Sequence, residues 1–319
     1  MQIIVPDYYK EFSCIADHCR HSCCIGWEID IDGESLASYD AWEGEYGTVL
    51  RARIDRSGEI PHFKLGEGER CPFLCPDGLC EMILELGEDA LCQICADHPR
   101  FRNYYFGRVE IGLGLCCEAA GALILKRREP MKLELQSDNG VKESAGSEEE
   151  TLLSFREMLF SILQDRTCTL DERMEELLDT CGASLPKGGV SAWVDFLLGL
   201  ERLDEGWTQV LLELKKREKR VPLVGAEWET AFEQAAVYFL YRHLREALVD
   251  GDVATKAAFA VFSVELLRAL CAGKKNVTLD DLLEFARMYS GEIEYSEENL
   301  WAVFDWLGSK MICEMGELP

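Results

Sequence analysis

The sequence predicts a mainly α protein, in which a small cysteine-rich N-terminal domain with a short β-hairpin packs on an all-helical C-terminal domain. Three observations predict this arrangement. Eleven of the 15 cysteines lie between Cys14 and Cys117, where the apolar runs are short. From Thr151 onward, apolar residues recur at helical spacing. A polar, glycine-containing stretch at residues 136–150 predicts a linker or an exposed loop between the two parts. We therefore place the domains at residues 1–130 and 150–319.

The N-terminal part contains short predicted elements. Apolar residues at helical spacing predict one helix over residues 33–54, and residues 60–65 predict a short strand. Residues 101–113 predict a hairpin with Gly107 at its turn. Further helices are predicted over 79–86, 88–96 and 116–127.

The C-terminal part contains eight predicted helices, several of which have recognisable ends. Thr169, Thr278 and Ser296 each precede acidic residues, which suit the first turn of a helix. Gly182, Gly251 and Gly273 stand where C-caps would. The eight predicted helices are 152–164, 170–180, 191–203, 207–219, 227–248, 255–272, 279–289 and 297–314.

The charge of the chain restricts its partners. Lysine and arginine total 33 against 59 acidic residues, a net charge of −26. Nucleic-acid binding depends on neutralising phosphates with basic side chains, so we expect no nucleic-acid partner and no anionic membrane surface. The acidic surface suits either simple solvation or a lysine-bearing protein partner. There is no apolar run of 18 residues and no secretory leader pattern, so the sequence predicts a cytoplasmic protein.

The clustered cysteines predict a metal centre. In a reducing compartment such a cluster favours metal binding over disulfides, and adjacent cysteines, as in Cys23-Cys24 and Cys116-Cys117, are poor disulfide partners. Thiolates are soft ligands for zinc and for iron–sulfur clusters. The spacings match neither a zinc ribbon nor a bacterial ferredoxin, so zinc and iron–sulfur both remain open at this point.

Four blocks of the N-terminal part resemble a known family. Residues 9–27, 71–80, 86–100 and 115–120 are similar, in this order, to motifs of the flagellin lysine-N-methylase family, a branch of the CxxCxxCC group of zinc- or iron-chelating proteins. Cys117 stands where the family has proline, and Cys75 and Cys92 are also additional to the pattern. Eight cysteines fall on the family pattern: Cys14, Cys19, Cys23, Cys24, Cys71, Cys80, Cys95 and Cys116.

The resemblance implies an activity and a cofactor. It implies methyl transfer from S-adenosylmethionine to lysine side chains of flagellin, assisted by a [4Fe–4S] cluster bound by cysteines from this set of eight. One cluster needs four thiolates, so either some of the eight are structural or two metals bind. A lysine must be neutral to act as a nucleophile, and Glu118, Asp97 and Asp17 are the candidate carboxylates for that role.

Residues beside the cysteines offer further candidates and alternatives. Arg100 could bind a substrate carboxylate or form a structural salt bridge, and Trp27 and Tyr104 could line a cofactor pocket or simply pack. Histidines at positions 18, 21 and 98 could replace a thiolate as metal ligands. The segment 112–114 lacks the remaining features of a dinucleotide-binding loop, so we expect no common Rossmann methyltransferase fold. A non-catalytic zinc- or iron-binding protein and a redox protein are the alternative functions.

Overall fold

The computed structural model describes residues 1–140, 146–217 and 222–315, with side chains up to Met311. As predicted, the protein is mainly helical with a small sheet. It consists of two compact units. The cysteine unit comprises residues 13–100 and 117–119, and the helical unit comprises residues 1–12, 101–116 and those from 120 onward. The domain limits 1–130 and 150–319 rest on the sequence alone and stay a prediction.

The sheet belongs to the helical unit. Its strands are β1 (Gln2–Pro6), β4 (Arg100–Tyr105), β5 (Arg108–Leu113) and β6 (Leu133–Asp138), in the order β4-β5-β1-β6. The predicted hairpin is confirmed as β4 and β5, and Gly107 at its turn has a φ of 72°, which suits glycine. β1 runs parallel to β5 and antiparallel to β6.

The predicted linker at residues 136–150 is wrong at both ends, where the structure has a strand and a helix. Residues 136–138 belong to β6, because their backbone groups pair with β1 at the far end of the chain. The first long helix begins at Ser147. Residues 141–145 lie outside the described residues.

The helices of the helical unit surround two long central ones. These two, α10 (Ala226–His243) and α12 (Val253–Ala272), are buried around most of their circumference, as expected of helices that are apolar on every side. Residues 218–219 of the predicted helix 207–219 lie outside the described residues. The long helices are α6 (Ser147–Leu163), α7 (Leu170–Cys181), α8 (Gly189–Leu197), α9 (Glu205–Lys216), α10 (Ala226–His243), α12 (Val253–Ala272), α13 (Leu279–Tyr289) and α14 (Glu297–Met315); α11 (Ala247–Asp250) is one turn.

The predicted helix ends are confirmed by their hydrogen bonds. Thr169 and Thr278 both form capping boxes, with Glu172 and Asp281 respectively. The hydroxyl of Ser296 accepts the N–H of Asn299 at 3.2 Å. Gly182, in the left-handed region, closes α7 as predicted. No helix among the described residues is long and apolar enough to cross a membrane.

The cysteine unit is built from short elements around an apolar core. The predicted helix 33–54 is wrong as a single element, because Trp42 and Glu43 are extended. Gly44, which opens the second helix, has a φ of +87°, which the interior of a helix cannot contain. The predicted strand 60–65 shortens to two residues, and residues 88–90 form only a 3₁₀ turn. The elements are α1 (Gly33–Ala41), α2 (Gly44–Ala52), β2 (Ile54–Asp55), β3 (His62–Phe63), α3 (Glu81–Leu86), α4 (Gln93–Asp97) and the first residues of α5 (Glu118–Leu125).

Candidate metal centre

Backbone pairing brings distant cysteines of the cysteine unit together. The N–H of Cys71 donates to the carbonyl of Cys24 at 2.8 Å. Leu74 forms a β-bridge with Cys80, which directly precedes α3. Cys92 precedes α4, and Cys95 lies one turn into that helix. Four segments that are separate in sequence therefore deliver thiols to one part of the core.

Five thiols form one group in this core, which we name the buried thiol group: Cys24, Cys71, Cys80, Cys92 and Cys95. Cys71 interacts electrostatically with Cys24, Cys80 and Cys92, and Cys95 with Cys92, Cys24 and Cys71. Cys71 and Cys92 are core residues, 7% and 0% exposed, and the other three pack against the same apolar cluster. Such surroundings exclude water and suit a soft metal held by thiolates.

The protonation of these thiols depends on burial and on their hydrogen bonds. Burial raises the pKa of Cys71 to about 12 and also raises the pKa of Cys80, although backbone N–H groups donate to both sulfurs. The Cys95 thiol donates to Cys92, which lowers the pKa of Cys92 and raises that of Cys95. A metal ion would displace these protons, and the N–H donors would then stabilise the bound thiolates.

A second set of thiols consists of three cysteines in the segment 14–23 and one from a distant part of the chain. We name it the outer thiol group: Cys14, Cys19, Cys23 and Cys117. Cys19 and Cys23 each interact electrostatically with Cys14 and Cys117. Burial raises the pKa of Cys19 to about 11. A hydrogen bond from Cys23 lowers the pKa of Cys24 to about 7, so the adjacent pair Cys23-Cys24 connects the two groups.

The eight predicted metal ligands thus divide into three places. Four belong to the buried thiol group and three to the outer thiol group. Cys116 belongs to the helical unit, where its thiol forms a hydrogen bond with Tyr295. Cys92, which the family pattern leaves out, is a fully buried member of the buried thiol group. Its spacing to Cys95, with two residues between them, is the sequence signal that could have identified it.

The donor set suits two kinds of metal centre. A zinc ion takes four thiolates in a tetrahedron with bonds of about 2.3 Å, and an iron–sulfur cube binds each thiolate to a separate iron. In the described residues, one group of three ligating side chains has all of its ligand atoms within 4.8 Å of one another, and it is Glu28, Asp30 and His62.

Glu118 holds the outer thiol segment in place. Its carboxylate accepts the backbone N–H of His21 at 2.9 Å and the Nε of Arg20 at 3.2 Å, and the Cys19 sulfur lies 3.8 Å away. The Glu118 side chain is only 12% exposed. These contacts give Glu118 a positioning role for Cys19.

The other predicted carboxylates lie elsewhere in the cysteine unit. Asp97 is half-buried at the end of α4, two residues after Cys95. Asp17 is exposed and pairs with His18 at 3.0 Å. The catalytic assignments of Glu118 and Asp97 stay predictions.

The predicted cofactor-binding residues are divided between the units. Trp27 donates from its indole to the carbonyl of Cys23, and its ring lies 6.2 Å from that of His98. Arg100 donates to the carbonyl of Ala96 at 3.2 Å. Tyr104, 59% exposed, is on β4 in the helical unit. Burial lowers the pKa of His98 to about 4, which keeps its imidazole neutral at physiological pH.

Comparison with known proteins adds evidence from the helical half. The family described as "FliB lysine N-methylase C-terminal domain" matches residues 191–318. The flagellar biosynthetic protein FliU of Salmonella muenchen is 32% identical over 137 residues, which are 40% of this chain and 79% of FliU. This chain belongs to the flagellin lysine-N-methylase family.

Longer relatives are matched only in part. The lysine-N-methylases of Salmonella typhimurium and Salmonella choleraesuis are each 31% identical over 137 residues, 40% of this chain. The chain spans about a third of the length of these curated relatives, 33% in each case. None of the solved structures matches the chain. The lysine-N-methylase family match covers α9 to α14, whereas the four sequence blocks that resemble the family all lie in the N-terminal part of the chain.

Proposed function

We propose that this protein transfers a methyl group from S-adenosylmethionine to lysine side chains of flagellin, and that the transfer depends on a [4Fe–4S] cluster in the cysteine unit. Family membership carries the proposal, since the relatives are named lysine-N-methylase and flagellar biosynthetic protein. The acidic surface supports it, because a net charge of −26 attracts a lysine-bearing partner.

The buried thiol group supports the cofactor. It holds five thiols where a cube needs four, so Cys71, Cys92 and Cys95 with either Cys24 or Cys80 would be sufficient. A cluster held by only three of these thiolates would offer its fourth iron to amino and carboxylate groups. The apolar side chains around it, among them Tyr39 and Phe73, exclude water from the site.

The remaining residues of the cysteine unit would position and deprotonate the reactants. Glu118 orders the segment that carries Cys19 through its bonds to Arg20 and His21. Arg100 offers a guanidinium that suits the carboxylate of the methionine moiety of the methyl donor. Asp97, half-buried at the end of α4, would accept the proton of the target lysine.

Anaerobic purification of the full chain tests the cofactor. We expect brown protein with about four irons and four sulfides per chain. Colourless protein holding one zinc would refute the cluster. Cys71→Ser should lose iron, whereas Cys168→Ser, which changes an exposed thiol of the helical unit, should keep it.

Methylation of purified flagellin tests the activity. The anaerobic protein is incubated with flagellin and S-adenosylmethionine, and modified lysines are identified by peptide mass spectrometry. We expect lysines to gain one methyl group, and Cys71→Ser to abolish this gain. The absence of methylation by iron-loaded protein would refute the proposed activity.

A further inference from the structure

A small cavity in the helical unit has the lining of a cation-binding site. Its volume is about 220 Å³. This is smaller than a typical site for a drug-sized ligand, roughly 300–1,000 Å³, and so suits a single side chain. Ten residues line it, from β4, the end of α10, the start of α14 and the turns that adjoin these two helices: Phe101, Asn103, Arg242, His243, Glu246, Glu294, Glu297, Leu300, Trp301 and Phe304.

Aromatic rings form part of the wall. Trp301 packs against Phe304 with ring centroids 5.6 Å apart, and Phe101 lines the same space. Trp301 is 37% exposed, so its ring is accessible from solvent. The faces of such rings carry negative potential and attract organic cations. Arg242 lies over the Phe101 ring and Lys256 over the Phe304 ring, so of these three rings Trp301 is the one that would receive an added cation.

The basic groups at the cavity are already neutralised. Buried Glu294 accepts hydrogen bonds from Tyr238 at 2.9 Å and from His243 at 2.7 Å, and lies 3.3 Å from Arg242. Lys256 lies 4.7 Å from the Phe304 ring centroid and is paired with an acid of its own, Asp250.

Two further carboxylates leave the cavity negative. Glu246 lies 3.7 Å from its neighbour Arg245 in a half-exposed pair. Arg245 therefore neutralises the charge of Glu246 only weakly. Glu297, in the first turn of α14, is exposed. The cavity therefore combines an aromatic face with an excess of negative charge.

We propose that this cavity binds the side chain of a protein lysine, with the alkyl stem against Trp301 and Phe304 and the ammonium group near Glu297. The geometry points to an alkylammonium ligand, and the choice of lysine rests on the proposed function. Eight of the ten lining residues, all except Phe101 and Asn103, fall within the family match at residues 191–318.

Peptide binding to the full chain tests this assignment. The probe is a fluorescent pentapeptide with one lysine between glycines, and its control carries norleucine, which has the alkyl stem without the ammonium group. We expect fluorescence anisotropy to give at least about fivefold tighter binding of the lysine peptide, the ratio expected of one cation–π contact. Equal binding of the two peptides would overturn the assignment.

Two neighbouring glutamates provide matched variants. Glu297→Gln should remove most of the preference for lysine, whereas Glu298→Gln, an exposed neighbour that does not line the cavity, should leave it unchanged. Trp301→Leu should lower the affinity about fivefold. If Glu297→Gln and Glu298→Gln behave alike, the cavity is not the site.

Methylation kinetics separate this inference from the proposed function. A raised KM for flagellin in Glu297→Gln and Trp301→Leu supports the cavity. Normal methylation with an unchanged KM in both variants overturns the cavity and leaves the activity standing. A lysine preference that depends on Glu297, in a chain that methylates nothing, supports the cavity and refutes the proposed activity.

Discussion

Replacing Glu110 with glutamine should destabilise the helical unit strongly. Glu110 lies on β5 with a fully buried side chain, and its carboxylate accepts two hydrogen bonds from Arg156 of α6, at 2.6 and 3.0 Å. The Arg156 side chain is 2% exposed, and its other carboxylate partner, Glu157 at 3.4 Å, is 62% exposed. Glu110→Gln therefore leaves the buried guanidinium without a buried counter-charge. Removing one partner of such a pair costs about 3–5 kcal/mol, a large part of the roughly 5–15 kcal/mol that stabilises a typical domain.

Urea unfolding followed by far-ultraviolet circular dichroism measures this loss in free energy of unfolding. Glu134→Gln, on the exposed edge strand β6, is the matched control and should change it by less than about 0.5 kcal/mol. Adding Arg156→Met to Glu110→Gln should restore much of the stability, since it removes the unpaired charge. A Glu110→Gln variant as stable as the control, or a double variant less stable than the single one, would refute the reasoning.

Three further substitutions, two in the cysteine unit and one on β5 of the helical unit, should have measurable effects. Cys92→Ser should lower the iron content of anaerobic protein as much as Cys71→Ser does, because both thiols lie in the buried group; iron retained at the wild-type level would remove Cys92 from the ligand set. Although burial opposes ionisation, N–H groups of Gln93 and Ser35 lower the pKa of Asp32 to about 2. Its folded-state pKa is therefore below the unfolded one, so this stabilisation is present above about pH 4 and is lost as the pH falls towards 2. Asp32→Ala should cost about 1–2 kcal/mol at pH 7 and progressively less below pH 4, and a cost independent of pH in urea unfolding would contradict this. Gly112→Ala should destabilise the helical unit by about 1–3 kcal/mol, because the new Cβ would lie 2.2 Å from the ring of Phe101; a thermal unfolding midpoint equal to that of wild type would show that the ring can move aside.

Local patterns were sufficient to predict most helices and the hairpin. Helical periodicity and capping residues such as Thr169 and Thr278 act within a few turns, so α7 and α13 have nearly the predicted bounds. Gly107 likewise marked the β4–β5 turn. The break at Gly44 was missed because the apolar spacing continues across it, and only the backbone conformation separates α1 from α2.

Pairings between distant segments could not be read from the sequence. β1 and β6 are short, and their hydrogen bonds join residues more than 120 positions apart. The cation-binding cavity likewise combines residues of β4, α10 and α14, none of which carries a motif by itself. Such sites depend on the fold, because their parts have no fixed spacing along the chain.

The sequence by itself determined the donor chemistry and the family. Thiolates clustered within the first 120 residues point to a soft metal whatever the fold, because ligand preference is a property of the sulfur atom. Only the tertiary structure decided which thiols share a core. It placed Cys92 among them and Cys116 in the other unit, since the distances between cysteines depend on strand pairing and helix packing between segments that are far apart in sequence.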